Sequence, residues 1–578
     1  MNNGRMRRYL AVIAIAAATA RCGTAIGVAP APACTPELSE RDVEHGFTMR
    51  VDCGLSTMAV RHFIELTNHA AQHSRLPDNR RAALANAANI MLSAVHLHAF
   101  ENVAPLVAAL AAGAKERPDT DFVAIARQWA TRYGRLLSET SITRTSDPTE
   151  IEVDNAIERV DLDSASKLLA MQLTEPRMPD ALMAARSREA ALVAWLRFDP
   201  QQALAYAKAA FTLQPKDIDI TATYAELLDD EHAFERALPL YERLLLRYQS
   251  LAHDKPDVWR PRIAQVLNKL GHLYAALQLP QEAEMSYMHA LGIYWGLARV
   301  NPTAYGPAVE ATFDDLGMLY RDTQRLDDAV QAYGEALKLD RALAQRDAAQ
   351  YEPEVATTLN DLGILYDMTH HMAEAERAYG EALTIQRALV GENPAAYRPA
   401  LARTLNNLGN LYSGMARLDD AEHAYREALD IRRRLARESP VFDAPDMART
   451  LSNLGVLYRI EGRPLKARRA YREALRTYES LARLNLLGYR PDEARTLNNL
   501  GVLLSTTHRP HEAEDAYRRA IALYDTLSKA EPASSAYRRD QARTLDNLAR
   551  LYSDMGRPRK AEATKREAAR LLNASDSK

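Results

Sequence analysis

The sequence predicts an all-α fold built from helical repeats, and three observations support this. Its composition is rich in the helix formers Ala, Leu, Arg and Glu, whereas aromatic residues make up only 7%. An eight-residue phrase recurs through the second half of the chain. Its glycines lie 46 residues apart, at Gly271, Gly317, Gly363, Gly409, Gly455 and Gly501, and Ala549 follows 48 residues after the last. A fixed period of this length is typical of a solenoid, in which each unit packs only on its neighbours.

Each period predicts two antiparallel helices. The phrase, LNNLGNLY in the copy that starts at Leu405, forms the first. Twelve residues after the glycine comes an alanine, followed at spacings of four and three by an aromatic residue and a second alanine, as in Ala421, Tyr425 and Ala428. These spacings place the three side chains on one face of a second helix. Because Ala549 replaces the glycine, that position requires a small residue where two helices cross closely, and not a positive φ angle.

The spacing of these residues resembles the tetratricopeptide repeat consensus, which is matched by Leu405, Leu408, Gly409, Tyr412, Ala421, Tyr425 and Ala428. The resemblance covers most of residues 181–570. It implies a right-handed superhelical solenoid of antiparallel helix pairs, whose first helices line a groove for a protein or peptide. The usual unit has about 34 residues. The 46-residue unit is longer and resembles the kinesin-light-chain type of repeat.

The same patterns divide the chain into segments. We predict a signal peptide in residues 1–33, an N-terminal helical domain or degenerate repeats in 34–180, two units of standard length in 181–248, about seven extended units in 249–572 and a tail in 573–578. An aromatic residue and a proline recur between extended units, as in Trp259/Pro261 and Tyr397/Pro399. Because proline lacks an N–H, we expect these prolines in the first turn of the next helix.

The N-terminus is typical of an export signal. Arg5, Arg7 and Arg8 precede an apolar run from Tyr9 to Ala18, which is too short to span a bilayer. Small residues allow cleavage at several points between residues 20 and 33. We therefore expect an exported protein, periplasmic or secreted, with a cytoplasmic location as the alternative if this interpretation of the N-terminus fails.

All three cysteines lie in the first 53 residues. Cys22 is a candidate for lipid attachment, which would anchor the protein to a membrane, although Arg21 stands where a lipoprotein signal has a small residue. Cys34 and Cys53 both remain after cleavage at or before Ala33. In an oxidising compartment we expect them to form a disulfide, and in the cytosol two unpaired thiols.

The resemblance implies four groove positions in each first helix, which lie two residues before and one, five and eight residues after the leading leucine. The position after the leucine is occupied by Asn268, Asp314, Asn360, Asn406, Ser452, Asn498 and Asp546, and Asn410 lies at the position five after. An amide both donates and accepts, so these residues suit a peptide backbone. Bonds between neighbouring helices of the solenoid are the alternative, and both remain open.

Two residues before the leading leucine, four successive units carry arginine, at Arg403, Arg449, Arg495 and Arg543. Guanidinium groups bind carboxylates, so this row predicts a preference for an acidic peptide or a chain terminus. The alternative is a row of solvent-exposed arginines with local glutamate partners.

The sequence gives little support for catalysis, metal binding or nucleic acid binding. No phosphate-binding loop, metalloprotease motif or nucleophile turn is present, so no catalytic residue and no cofactor are predicted. His62, Glu65, His69 and His73 share a helical face but lack a converging second cluster, and no metal site is predicted. Acidic neighbours dilute the basic stretches 432–434 and 557–565. We interpret these stretches as solvated helical faces and predict no nucleic acid partner.

These observations favour a non-enzymatic scaffold that binds a protein or peptide ligand in the groove of the solenoid. A self-assembling or cell-envelope structural protein is the alternative, and an enzyme with a site in residues 54–180 is a third hypothesis. The net charge is −3, but residues 401–578 carry about +9 and residues 1–400 about −12. This asymmetry fits electrostatic choice of a partner or head-to-tail association of copies into a homo-oligomer.

Overall fold

The structure is a computed structural model that describes residues 37–42, 46–50, 57–74, 76, 78–95, 97–113, 122–142, 148–175, 178–438, 440–482, 489–530 and 535–576. The predicted signal peptide and the three cysteines, Cys22, Cys34 and Cys53, lie outside these residues. Across the described ranges, no helix combines the length and the hydrophobicity needed to cross a bilayer.

Among the described residues, the N-terminal region combines a β-hairpin with six α-helices. Strands β1 (Glu37–Asp42) and β2 (Gly46–Arg50) pair antiparallel. The side chain of Asn89 fixes the hairpin to the second helix, since it accepts from the Leu38 N–H at 2.8 Å and donates to the Leu38 carbonyl at 3.0 Å. The helices are α1 (Thr57–Ser74), α2 (Asp78–Ser93), α3 (Val103–Gly113), α4 (Phe122–Ile142), α5 (Pro148–Glu158) and α6 (Leu162–Gln172), with a 3₁₀ helix (Leu97–Asn102) before α3.

In the part of the chain that the structure describes, two shorter helix pairs follow the N-terminal region, and seven longer pairs follow these. The shorter pairs are α7 (Asp180–Leu196) with α8 (Pro200–Leu213) and α9 (Ile218–Asp230) with α10 (Phe234–Leu251). The longer pairs, extended repeats 1 to 7, are α11 (Pro256–Ala276) with α12 (Pro280–Ala298), α13 (Pro302–Asp322) with α14 (Leu326–Ala344), α15 (Ala348–Met368) with α16 (Met372–Glu392), α17 (Pro394–Gly414) with α18 (Leu418–Glu438), α19 (Pro440–Ile460) with α20 (Pro464–Ala482), α21 (Arg490–Thr506) with α22 (Pro510–Ala530), and α23 (Ser535–Asp554) with α24 (Pro558–Asp576).

The predicted class, an all-α solenoid of helix pairs, is confirmed, with the short hairpin as an addition that sequence patterns did not reveal. The chain divides into two compact units, the first containing the residues up to Tyr351 except 77–80, and the second containing residues 77–80 and those from Glu352 onward. Within each unit the first and second helices of a repeat pack closely together, and most second helices also pack on the first helix of the next repeat.

The structure corrects the prediction for the prolines. Pro261, Pro307, Pro353 and Pro399 lie inside their helices and not in the first turn, because these helices begin five residues earlier, at Pro256, Pro302, Ala348 and Pro394. The early prolines at Pro256, Pro302 and Pro394 occupy the first turn instead, and Pro491 lies there in α21. The extended unit gains its length partly through this additional N-terminal turn.

The repeated glycines lie under aromatic rings. A Cβ atom added to Gly409 would come within 2.6 Å of the Tyr425 ring, and the other five phrase glycines meet the corresponding tyrosine at 2.4–2.7 Å. The prediction that this position needs a small residue at a close helix crossing therefore agrees with the geometry. Ala549 is tolerated because the residue 16 positions later is Lys565 and not tyrosine.

Candidate peptide-binding groove

The predicted asparagine row lies in the interior of the second unit, and this corrects its assignment to a ligand-facing surface. Asn360 is only 1% exposed, and its Oδ1 accepts from Thr404 Oγ1 at 3.2 Å and from Asn407 Nδ2 at 3.1 Å, both on the first helix of the next repeat. Asn406 repeats the arrangement with Thr450 and Asn453, each at 3.2 Å. These amides join successive first helices, as the alternative interpretation of the row proposed.

Two further asparagines of this row, Asn498 and Asn268, also bond to the next repeat. Asn498 is buried, and its Oδ1 accepts from Asn547 Nδ2 at 2.9 Å. In the first unit, Asn268 Nδ2 donates to Asp315 at 3.2 Å, so here the next repeat supplies the acceptor. The structure therefore gives these side chains a role in stacking the repeats.

Asn410, by contrast, is exposed. Its Oδ1 accepts from the Tyr425 hydroxyl at 2.7 Å and from Asn453 Nδ2 at 3.1 Å. Tyr425, whose ring covers Gly409, thus donates from its hydroxyl to an exposed amide and orients it. Neither contact uses the Asn410 Nδ2 group, which remains a donor for a ligand.

The predicted arginine row is exposed on the first helices of extended repeats 4 to 7. The side chains of Arg449, Arg495 and Arg543 are 49%, 50% and 58% exposed, and each pairs with an aspartate three residues earlier on its own helix. Position 400 is alanine, and within the described ranges no carboxylate pairs with Arg403. Exposed pairs of this kind contribute about 0.5 kcal/mol or less, so a ligand carboxylate can compete for these arginines.

A buried cation lies behind this row. Arg432 on α18 is almost fully buried and donates to the Asp446 carbonyl at 2.9 Å and to Thr450 Oγ1. Burial, together with the facing Arg449 and Arg403, lowers the pKa of Arg432 to about 9. The interpretation of residues 432–434 as a solvated face is therefore wrong for Arg432, although Arg433 pairs at the surface with Glu473 and Arg434 is exposed.

Sequence reasoning missed an apolar row beside the arginines. Five residues after the leading leucine, the second unit carries half-exposed Ile364, Val456 and Val502, with the exposed Asn410 between the first two. The five-residue spacing that relates these side chains to the leading leucines is present in the sequence. Together the two rows give the first helices one face with both apolar and cationic side chains.

In the first unit, a helix of the same chain occupies the corresponding face. Glu226 and Trp195 lie at the groove spacing of α9 and α7, and both contact α4. Arg135 forms two hydrogen bonds of 3.2 Å to Glu226, and the guanidinium of Arg132 stacks 4.0 Å above the Trp195 ring. Arg132 also pairs with Asp230 at 2.7 Å. The N-terminal region therefore covers the first two repeats where a ligand would lie.

The histidines and the glutamate that the sequence places on one helical face lie on α1. His62, Glu65 and His69 are exposed on α1, and the side chain of His73 lies outside the described residues. Among the residues that the structure describes, no three His, Cys, Asp or Glu side chains converge into a metal site.

The helix pairs and their packing define a class of helical-hairpin repeat proteins, and comparison with known sequences identifies the family. Models of the tetratricopeptide repeat match residues 264–294 and 313–343, residues 355–396 and 401–440, and residues 446–526. Tetratricopeptide repeats thus occupy most of residues 264–526, and such repeats indicate a protein-interaction scaffold. The similarity to the kinesin-light-chain type stays a prediction.

A search of solved structures finds, among others, three chains that match part of this one. BtubC (BKLC) from P. vanneervenii is 23% identical, with 44% of this chain and 93% of that chain covered and a TM-score of 0.36. The apo form of RapI is 14% identical, with 69% and 99% covered and a TM-score of 0.46. A tetratricopeptide repeat protein from Parabacteroides merdae is 17% identical, with 52% and 93% covered and a TM-score of 0.30. A search of curated proteins finds no match.

Proposed function

We propose that the first helices of the second unit bind a protein segment in which acidic and apolar side chains alternate. The observation that carries this proposal is the exposed arginine row Arg403, Arg449, Arg495 and Arg543 beside the half-exposed apolar row. Carboxylates of the ligand pair with the guanidinium groups, and its apolar side chains cover Ile364, Val456 and Val502.

The buried asparagine contacts support this role indirectly. Bonds such as Thr404 to Asn360 and Thr450 to Asn406 fix each first helix against the next. A groove held in this way loses little conformational entropy when a ligand binds. The proposal therefore assigns recognition to the arginine and apolar rows, and rigidity to the asparagine row.

The test uses fluorescein-labelled heptapeptides and the full mature chain. The acidic peptide Gly-Glu-Leu-Glu-Leu-Glu-Gly is compared with its lysine counterpart Gly-Lys-Leu-Lys-Leu-Lys-Gly by fluorescence anisotropy. We expect the acidic peptide to bind more tightly by at least tenfold, and added salt to weaken it, because exposed ion pairs are screened.

A charge reversal locates the site. The double variant Arg449→Glu/Arg495→Glu should weaken the acidic peptide by at least tenfold, since a charge-assisted hydrogen bond contributes about 1.5–3 kcal/mol. The matched control, Arg434→Glu/Arg437→Glu, alters the net charge equally on exposed positions of the second helix α18 and should leave binding within twofold. Equal losses in both variants, or none in the first, would contradict the proposal.

A further inference from the structure

A repeated three-residue contact joins four of the extended repeats, numbers 2, 4, 5 and 7, to the repeat that precedes each of them. In extended repeat 5, Tyr458 donates to Glu422 of the preceding second helix at 3.1 Å, and Arg463 pairs with the same carboxylate at 2.7 Å. The guanidinium also lies 4.8 Å from the Tyr458 ring centre. The same contact is formed by Tyr320/Glu284/Arg325, Tyr412/Glu376/Arg417 and Tyr552/Glu514/Arg557.

Extended repeat 6 breaks this contact at two positions. The tyrosine is replaced by Leu504 and the glutamate by Arg468, whereas Arg509 is retained. Leucine is shorter than tyrosine and has no hydroxyl, so the space between α20 and α22 is left unfilled. Arg509, which directly precedes α22, pairs instead with Glu512 in the first turn of that helix, and within the described ranges no carboxylate pairs with Arg468.

An open pocket of about 780 Å³ lies at this junction. Its apolar lining includes the buried side chains of Leu497, Leu500 and Leu504. Five arginines and three carboxylates line the rest. Arg519 and Glu479 pair across the pocket at 2.9 Å, while Arg472 approaches Glu512 only to 3.9 Å. The pocket therefore combines an apolar floor with a surplus of guanidinium groups.

We propose that this pocket binds a peptide segment of a partner protein that carries an aromatic side chain next to a carboxylate. The ligand supplies the two groups, an aromatic ring and a carboxylate, that extended repeats 2, 4, 5 and 7 contribute from their own chain. Its aromatic ring covers the leucines in place of the missing tyrosine, and its carboxylate pairs with Arg468 and Arg472 in place of the missing glutamate. The site lies between second helices, and it is therefore separate from the proposed groove.

The experiment restores the contact within the chain. The variant Leu504→Tyr/Arg468→Glu recreates the arrangement of Tyr458, Glu422 and Arg463 and should fill the pocket. Binding is followed by anisotropy with the labelled peptide Gly-Glu-Tyr-Glu-Gly, whose controls carry Ala for Tyr or Lys for both Glu. We expect wild type to prefer the first peptide over both controls by at least fivefold, and the restored variant to lose the preference for Tyr over Ala while its melting temperature rises.

Two further variants separate this site from the groove. Arg449→Glu/Arg495→Glu should keep the preference for Tyr over Ala at the centre of Gly-Glu-Tyr-Glu-Gly, which also distinguishes failure here from failure of the proposed function. Arg468→Ala, a milder change that preserves the fold, should weaken the peptide about fivefold or more, whereas Arg434→Glu should not. A preference for Tyr over Ala retained by the restored variant, or no binding by wild type at millimolar peptide, would overturn the inference.

Discussion

At the scale of single residues, the contact between a phrase glycine and a tyrosine ring sets what each repeat tolerates. Gly409 has Tyr425 directly above it, whereas Gly380, also helical and in the same unit, has no neighbouring atom within 4 Å of an added Cβ. The two glycines have the same helix propensity, so they differ only in the space around them. This makes them a matched pair for mutation.

We predict opposite effects of alanine at these two glycines. Overpacking a core costs about 1–3 kcal/mol, which exceeds the gain of at most about 1 kcal/mol that alanine brings to a helix. Gly409→Ala should therefore lower the thermal midpoint of the second unit, and Gly380→Ala should raise it. Calorimetry measures both. A stabilised Gly409→Ala variant would show that the Tyr425 ring moves aside at little cost.

The requirement for a small residue here was predictable from the sequence, because Ala549 takes the position in one repeat. The identity of the neighbour was not. It depends on which residue of the second helix faces the glycine, and Tyr425 was one of several aromatic or aliphatic candidates until the packing was known. For Asn360 and Asn406 the limit was similar, since a pattern of amides does not tell whether a ligand or a neighbouring helix bonds them.

The buried guanidinium of Arg432 gives a second prediction at this scale. Its pKa is lowered by burial and by the facing Arg449 and Arg403, which means that the fold disfavours the charged form. At neutral pH both the folded and the unfolded chain carry the charge, so the full cost is present, and it falls only as the pH rises above about 9.

We therefore expect Arg432→Gln to raise the thermal midpoint at pH 7, since glutamine occupies the equivalent position 386. The same change should weaken acidic peptides in the groove, because it removes a positive charge behind Arg403 and Arg449. Calorimetry and anisotropy measure the two effects. A destabilised variant would mean that the hydrogen bonds to Asp446 and Thr450 outweigh the cost of burial.

At the scale of helices, the contact of Tyr458, Glu422 and Arg463 couples one repeat to the next. Tyr458→Phe removes one hydrogen bond and should cost about 1 kcal/mol. Tyr478→Phe is the control, because the Tyr478 hydroxyl is buried and makes no hydrogen bond within the described ranges, so its loss should be neutral or stabilising. Urea titration of both variants checks this. Equal effects would mean that the hydroxyl of Tyr458 adds nothing to the junction.

The β-hairpin bears on the predicted disulfide. Glu37 pairs with Arg50, and in the sequence Cys34 precedes Glu37 by three residues, as Cys53 follows Arg50 by three. Both cysteines lie outside the described residues, so a Cys34–Cys53 bond stays a prediction from the sequence. We predict this linkage in protein from an oxidising compartment, visible by peptide mapping without reduction. Alkylation of both cysteines without prior reduction would contradict it and would also weaken the case for export.

Helix pairs were predictable from the sequence because their side-chain periods repeat seven times, but helix ends were less so. The prolines at Pro261 and Pro399 suggested helix starts, yet the chain begins each helix at an earlier proline. The position of α4 could not be predicted either. Its contacts with α7 and α9 join residues about 65 to 100 positions apart, and no repeat pattern relates them.

At the scale of the whole molecule, the two units differ in how their first helices are used. In the first unit α4 covers α7 and α9 through Arg132, Arg135 and the buried Trp129, whose Nε1 donates to the Leu196 carbonyl at 3.0 Å. In the second unit the arginine and apolar rows remain exposed. We infer that the N-terminal region stabilises the first repeats and that ligand binding belongs to the second unit.

This division predicts that Arg132→Ala affects one unit only. Removing one partner of a buried ion pair costs about 3 kcal/mol, because Asp230 loses its partner and the Trp195 ring loses the guanidinium above it. Hydrogen exchange should accelerate in α4, α7 and α9, while exchange in α17 to α22 and the affinity for the acidic heptapeptide stay unchanged. Arg127→Ala, on the same helix but with no partner among the described ion pairs, serves as the control. Loss of peptide binding in Arg132→Ala would show that the N-terminal region also shapes the groove, and the two roles could then no longer be assigned to separate units.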